Sequence, residues 1–148
     1  MDTKKFNSDF SIKLKPHGKP QINYGINDLS INNGLEIYEP MELKFNLDLC
    51  KDSYILFVDF YNKTNEDSDM ALEIESVTFE GLTLDRFKWN SKYFPNYPEP
   101  WASQQSEPLP KFQQSATYMG WNGRWELYFD VPIFPWIHKL ENLGWLYE

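Results

Sequence analysis

The feature that most constrains this chain is a repeated two-residue alternation of apolar and polar side chains. Phe10, Ile12 and Leu14 alternate with Ser11, Lys13 and Lys15. Met41, Leu43, Phe45, Leu47 and Leu49 are separated by Glu42, Lys44, Asn46 and Asp48, and Trp125, Leu127, Phe129 and Val131 follow Arg124, Glu126, Tyr128 and Asp130 in the same way. Successive side chains of an extended strand point to opposite faces, so each set describes one buried and one wetted face. Tyr54-Ile55-Leu56-Phe57-Val58 is apolar throughout and reads as a central strand covered on both sides. Leu72 and Ile74 sit at one parity and Val77 and Phe79 at the other. A bulge near Ser76 reconciles them, and two short strands serve as well.

Punctuation between these runs fits strands. Asn33-Gly34 and Asn122-Gly123 are dipeptides suited to tight hairpin turns. Asn65-Glu66-Asp67-Ser68-Asp69 is a polar loop, and Lys15-Pro16-His17-Gly18-Lys19-Pro20 reads as a turn. Only the C-terminus looks helical: Pro132 and Pro135 can open a helix, Trp136, Leu140 and Leu143 follow i, i+4, i+7 spacing, and Gly144 suits its end. Residues 94–111 hold five of the ten prolines and predict a long loop lying over the body, pinned by its aromatic residues. The expectation is an all-β, antiparallel, jelly-roll-like sandwich with a short C-terminal helix, one domain over residues 1–148. At 148 residues such a domain can bury a proper core without staples. Residues 1–20, polar and broken by Pro16, Gly18 and Pro20, are expected to act as an N-terminal docking arm.

Charge and cysteine content narrow the function classes. The formal net charge is −8 with no Lys/Arg cluster, so direct binding to a phosphate backbone is disfavoured. Cys50 is the only cysteine and is read as a small buried thiol, so no internal disulfide forms. Neither a signal-peptide pattern nor a membrane-length apolar run is seen, and folding in a reducing cytoplasm is expected.

Catalytic signatures are weak. Cys50, His17 and His138 are scattered and match no zinc or nucleophile spacing. No glycine-rich phosphate loop is present. Asn65, Asp67 and Asp69 reproduce the first three ligand positions of a calcium loop, but Met70 replaces the expected glycine and Ser76 the closing glutamate. Calcium held by those three oxygen donors is the one cofactor considered; otherwise none is expected, and the chain is read as not an enzyme.

All six tryptophans lie between Trp89 and Trp145. Trp125 and Trp136 read as core. Trp89, Tyr93, Tyr97, Trp101 and Trp121 lie in or beside loops, where aromatic rings either stack on a sugar or partner, or hold the proline-rich loop onto the sheet. Both readings stay open.

Val58-Asp59-Phe60-Tyr61-Asn62-Lys63, Ile74 to Leu82, Tyr118-Met119-Gly120-Trp121-Asn122-Gly123-Arg124-Trp125-Glu126-Leu127 and Pro132 to Ile137 resemble small β-sandwich domains encoded by tailed bacteriophages and similar to carbohydrate-binding modules. The resemblance spans about residues 54–140. It implies a non-enzymatic virion component, a decoration or tail-associated protein assembled in the host cytoplasm, held by other virion proteins or by self-association. A glycan-binding module using the five loop aromatics, and an acidic inhibitor of a basic host protein, are the alternatives.

Overall fold

A computed structural model describes residues 5–27, 29–64, 69–83, 87, 90–97, 102–107 and 109–140. Eleven strands occur among them in chain order: β1 (Lys5–His17), β2 (Gln21–Ile26), β3 (Leu29–Glu36), β4 (Met41–Cys50), β5 (Asp52–Phe60), β6 (Ala71–Phe79), β7 (Leu82–Thr83), β8 (Ser91–Pro95), β9 (Gln113–Gln114), β10 (Tyr118–Met119) and β11 (Gly123–Val131). One short helix, α1 (Ile133–Leu140), follows the last strand. The strands form two antiparallel sheets. The first has the order β10-β6-β1-β4, with β7 beside β6, and the second, six-stranded, has the order β3-β2-β5-β11-β8-β9. Among the described residues no helix is long and apolar enough to cross a membrane.

The alternating sets do what their period demands. Phe10, Ile12 and Leu14 of β1 and Trp125, Leu127, Phe129 and Val131 of β11 are all at most 3% exposed. Their inward faces meet between the layers: Phe129 lies 5.3 Å from Phe10 and 5.1 Å from Phe79, ring centroid to centroid. Trp136 of α1 closes one end of this cluster, edge-on to Phe79 at 5.3 Å and stacked on Phe87 at 5.6 Å. Tyr24 of β2 touches Phe45 of β4 across the layers at 5.7 Å, so β4 lies over the β3-β2 side of the second sheet. β5 is central in its sheet, as expected, but is not covered on both sides: Leu56 and Val58 are buried in the core, whereas Phe57 on the outward face is buried under the Arg124 side chain and Ile55 and Asp59 beside it are only half-buried.

The parity change in β6 is a bulge. Lys13 pairs Ser76 while Leu14 pairs Ile74, leaving Glu75 as the extra residue. This puts Leu72, Ile74, Val77 and Phe79 all into the core.

Several expectations are corrected. Residues 5–17 are no docking arm: they form β1, a strand hydrogen-bonded on both sides, to β4 and to β6. His17 and Pro16 belong to that strand, and the chain turns only at Gly18. Asn33-Gly34 is no hairpin turn either. It lies inside β3, where Ile22 pairs Leu35 but Tyr24 pairs Asn32. Gly34 takes positive φ (73°) at this bulge, and its N–H donates to Asn23 Oδ1 at 2.8 Å. The β2–β3 reversal instead starts at Asn27 (φ 56°), whose N–H donates to the Ile55 carbonyl (2.7 Å) and whose Oδ1 accepts from the Ile55 N–H (2.8 Å). Cys50 is exposed at the end of the edge strand β4, not buried.

Phe129 touches both layers and the helix, so removing its ring leaves a cavity that no single element can fill. Phe129→Ala is expected to lower unfolding free energy by about 3–5 kcal/mol, read from urea denaturation midpoints at constant slope.

Candidate functional site

Directly opposed residues in an antiparallel sheet share a face, so the register maps what the six-stranded sheet turns outward. One row runs Asn23, Asp59, Arg124, Phe94 across β2, β5, β11 and β8. The next runs Gly25, Phe57, Glu126, Lys92, Gln114, and a third pairs Ile55 with Tyr128. These are the polar partners of the buried alternating sets, interleaved with aromatic rings.

The geometry of this face is fixed by its own contacts. Arg124 makes a two-pronged pair with Asp59, Nε to Oδ1 at 2.7 Å and Nη2 to Oδ2 at 2.8 Å, and its Nη1 lies 3.9 Å from Glu126 Oε2. Its guanidinium carbon sits 4.3 Å from the centre of the Phe57 ring, which explains why this outward phenylalanine is only 2% exposed. Lys92 places its ammonium between two rings, 5.0 Å from Phe112 and 5.5 Å from Tyr128, and both rings are 41% exposed. Phe94 supports Phe112 at 5.6 Å. Burial first, and then the Glu126 charge, hold the Tyr128 phenol above its ordinary value, so it stays a neutral hydroxyl. The result is an outward array of fixed donors and acceptors beside two partly exposed aromatic rings.

Of the aromatic residues singled out from sequence, Trp89 and Trp101 lie outside the described residues. Tyr93, Tyr97 and Trp121 come together where β8 ends and β11 begins. Tyr93 is 3% exposed, so its ring is core and not an open platform. Its hydroxyl donates to the Trp121 carbonyl and accepts from the Trp121 N–H (3.2 Å). Trp121 is half-buried with the Lys63 ammonium 5.3 Å from its ring centre, and that ammonium also donates to the Gly120 carbonyl at 2.7 Å. Tyr97 donates to the Pro110 carbonyl at 2.8 Å, tying the two ends of the proline-rich segment. The described residues 103–107 of that segment are exposed.

Asn122-Gly123 again departs from a hairpin turn, since neither residue takes positive φ. Asn122 instead clasps the backbone of Lys63, accepting from its N–H and donating to its carbonyl, both at 2.8 Å. Gly123 starts β11 where a Cβ would overlap the Phe94 carbonyl oxygen and come within 2.8 Å of Pro95 Cα. The Trp121 turn is thus a clamp that sets the register of β11, and with it the outward row at Arg124.

Elsewhere the chemistry is sparse. A groove of about 460 Å³ on the outer face of the first sheet is lined by Asp9, Ser11, Glu42, Lys44, Asn46 and Thr78. Its polar groups satisfy one another: Ser11 donates to Glu42 at 2.7 Å, and Lys44 sits 3.1 Å from the same carboxylate. The Ser11 hydroxyl, then Lys44, hold Glu42 below the ordinary carboxylate range. His17 Nε2 lies 3.8 Å from Glu73 at the edge of an exposed surface. Among the described residues no group of three or more His, Cys, Asp or Glu side chains could hold a metal ion. Of the calcium triad, Asn65 and Asp67 fall outside the described residues, and Asp69 is an exposed turn residue. The side chain of His138 is likewise outside them.

No family model and no curated protein matches the chain. Among solved structures it is similar to one titled "vCBM60 in complex with galactobiose", at a TM-score of 0.48 and 9% identity over 82% of this chain and 97% of that one.

Burial drives the Tyr93 phenol up to about 12, against about 10 in an unfolded chain. A group with a raised folded pKa contributes stability that is complete below its unfolded value and is lost as pH rises through the folded one. The Tyr93 clamp is therefore expected to weaken between about pH 10 and about 12. Tyr93→Phe should remove that tyrosinate step in an absorbance titration and cost about 1 kcal/mol at neutral pH.

Proposed function

We propose that this chain is a non-catalytic recognition module that holds a neutral oligosaccharide against the outer face of its six-stranded sheet. The observation that carries this reading is the Phe112–Lys92–Tyr128 sandwich beside the Arg124–Asp59 pair. A sugar ring offers one apolar C–H face and a rim of hydroxyls. The parts of the Phe112 and Tyr128 rings left exposed beside Lys92 suit the first. Planar guanidinium and carboxylate groups already fixed in place suit the second, because little side-chain freedom remains to be lost on binding. Outward rows that run across four strands offer an extended chain more contacts than a free monosaccharide can use. The net charge of −8 disfavours sulfated or uronic-acid polymers and favours neutral ones.

The reading calls for binding without bond cleavage. Asp59 and Glu126, the carboxylates beside Arg124, are both committed to it, Asp130 on the same face accepts from Ser53, and none is arranged as an acid–base pair across a cleft. A second reading, a structural part of a larger assembly such as the virion component expected from sequence, is favoured by the uncovered edge of β4. The two are compatible, since they use different surfaces.

The test is a glycan array followed by calorimetry on the best neutral oligosaccharide, with galactobiose among the probes. Arg124→Ala, Tyr128→Ala and Phe112→Ala should each weaken binding about tenfold or more. Trp121→Ala should leave affinity within about twofold if it keeps its fold, because the half-buried Trp121 belongs to the turn before β11 and not to the outward rows of the sheet. An array with no neutral glycan bound, or binding lost only in Trp121→Ala, overturns the proposal.

A further inference from the structure

The first sheet ends in β4, ten residues long, and among the described elements only β1 pairs with it. Its outer edge therefore carries a row of backbone N–H and C=O groups with no strand partner. Long uncovered edges are commonly protected by exposed charges, a proline, a bulge or a charge pointing inward. β4 has exposed charges at Glu42, Lys44 and Asp48, but no proline, bulge or inward charge interrupts it: it pairs β1 in unbroken register from Met41 to Cys50, and its core-facing side chains are all apolar up to Leu49. Phe45, Leu47 and Leu49 are only half-buried on that side, as expected where the next strand is missing.

The same edge of the sandwich carries further uncovered apolar surface. β3 is the edge strand of the second sheet, and residues 37–40 join it directly to β4. Leu29 at its start is 65% exposed and Tyr38 in the connection is 61% exposed, the highest values among the large exposed hydrophobic residues described.

We infer that β4 pairs antiparallel with the β4 of a second copy of this chain about a two-fold axis at Asn46, making one continuous sheet. Centring on Phe45 or Asn46 pairs more of the strand than centring on Leu43 or Leu47 nearer its ends, and the charges of β4 favour Asn46. Directly opposed antiparallel residues lie on one face, so the axis must pass through a residue. Centred on Asn46, Leu43 faces Leu49 and Phe45 faces Leu47 on the core side, each pair occurring twice. On the outer side Lys44 faces Asp48, again twice, and Asn46 faces its own copy. Centring on Phe45 instead sets Glu42 against Asp48, and centring on Lys44 sets two lysines together, both repulsive. Lys44 is 74% exposed at its side chain and holds Glu42 within its own chain at 3.1 Å, so it can span to a second carboxylate. Asp48 meets Asn7 Nδ2 at 2.8 Å, an orientation on the outer face that leaves its other oxygen available for the lysine. Because core-facing sides match, both six-stranded sheets fall on one side of the dimer.

Light scattering coupled to size exclusion, run over a dilution series, tests this with charge variants. The wild-type chain is expected as a dimer that dissociates on dilution. Lys44→Asp alone and Asp48→Lys alone should each weaken dimerisation by roughly ten- to a hundredfold, because each repeats a like-charge pair twice. Mixing the two variants should restore a dimer, since every opposed pair is then of opposite sign, and the double variant Lys44→Asp/Asp48→Lys should dimerise by itself. Circular dichroism melts establish that each variant is folded, and where a single variant does not fold the double variant alone decides. A wild-type chain that stays monomeric at every concentration overturns the inference. So does a dimer indifferent to both single variants, or one that the mixture and the double variant fail to restore.

Discussion

The structure depends on the packing of Phe129 between the layers. Its ring meets Phe10 and Phe79 from the first sheet, Tyr54 from its own sheet and Trp136 from the helix. Burying this cluster fixes which parity of β11 points inward. A slip of one residue would expose Trp125, Leu127, Phe129 and Val131 together and bury Arg124, Glu126 and Asp130, at a cost no local contact could offset. The outward face is thus specified by the inward one. Arg124 stands opposite Asp59, and Lys92 beside Tyr128, because the core leaves them no other side.

That dependence explains what could be read in advance. Period-two patterning located β1, β4 and β11, and the parity break of β6 marked an irregularity that the pairing with β1 shows to be a bulge, because burial acts on every second residue whatever the topology. Local turn chemistry was less informative. Asn33-Gly34 and Asn122-Gly123 carry the dipeptide of a tight turn, yet one sits at a bulge filled by Asn23 and the other clasps Lys63. Both outcomes turn on side chains distant in sequence. Residues 5–17 carried opposing signals, Pro16 and the polar residues against Phe10, Ile12 and Leu14, and burial of the apolar set decided the matter. Cys50 fell at the even parity of β4, the side turned to water, and its exposure follows from that alternation.

The candidate site was less legible than the fold for a related reason. Aromatic residues in loops drew the eye, but Tyr93 and Trp121 proved to be parts of a clamp that satisfies each other's polar groups. Arg124, Glu126 and Tyr128 were visible only as the wetted half of an alternating strand. What distinguishes them is their cross-strand neighbours, Asp59, Phe57 and Lys92, and pairings across 30 or more residues are not written in any one segment. Phe112 gave no periodic signal at all, and its role arises from Lys92 and Phe94 on the adjacent strand.

One sandwich thus carries two distinct surfaces: a face that presents rings and fixed charges, and an edge of β4 with no second strand partner among the described elements. The face is the central claim, and chemical-shift mapping tests it most directly. Amide resonances of the isotopically labelled chain would be followed while a neutral oligosaccharide is added. The account predicts that the largest shifts cluster on Lys92, Phe94, Phe112, Arg124, Glu126 and Tyr128. Shifts concentrated instead on Lys63 and Trp121, or along the groove between Asp9 and Asn46, would contradict it.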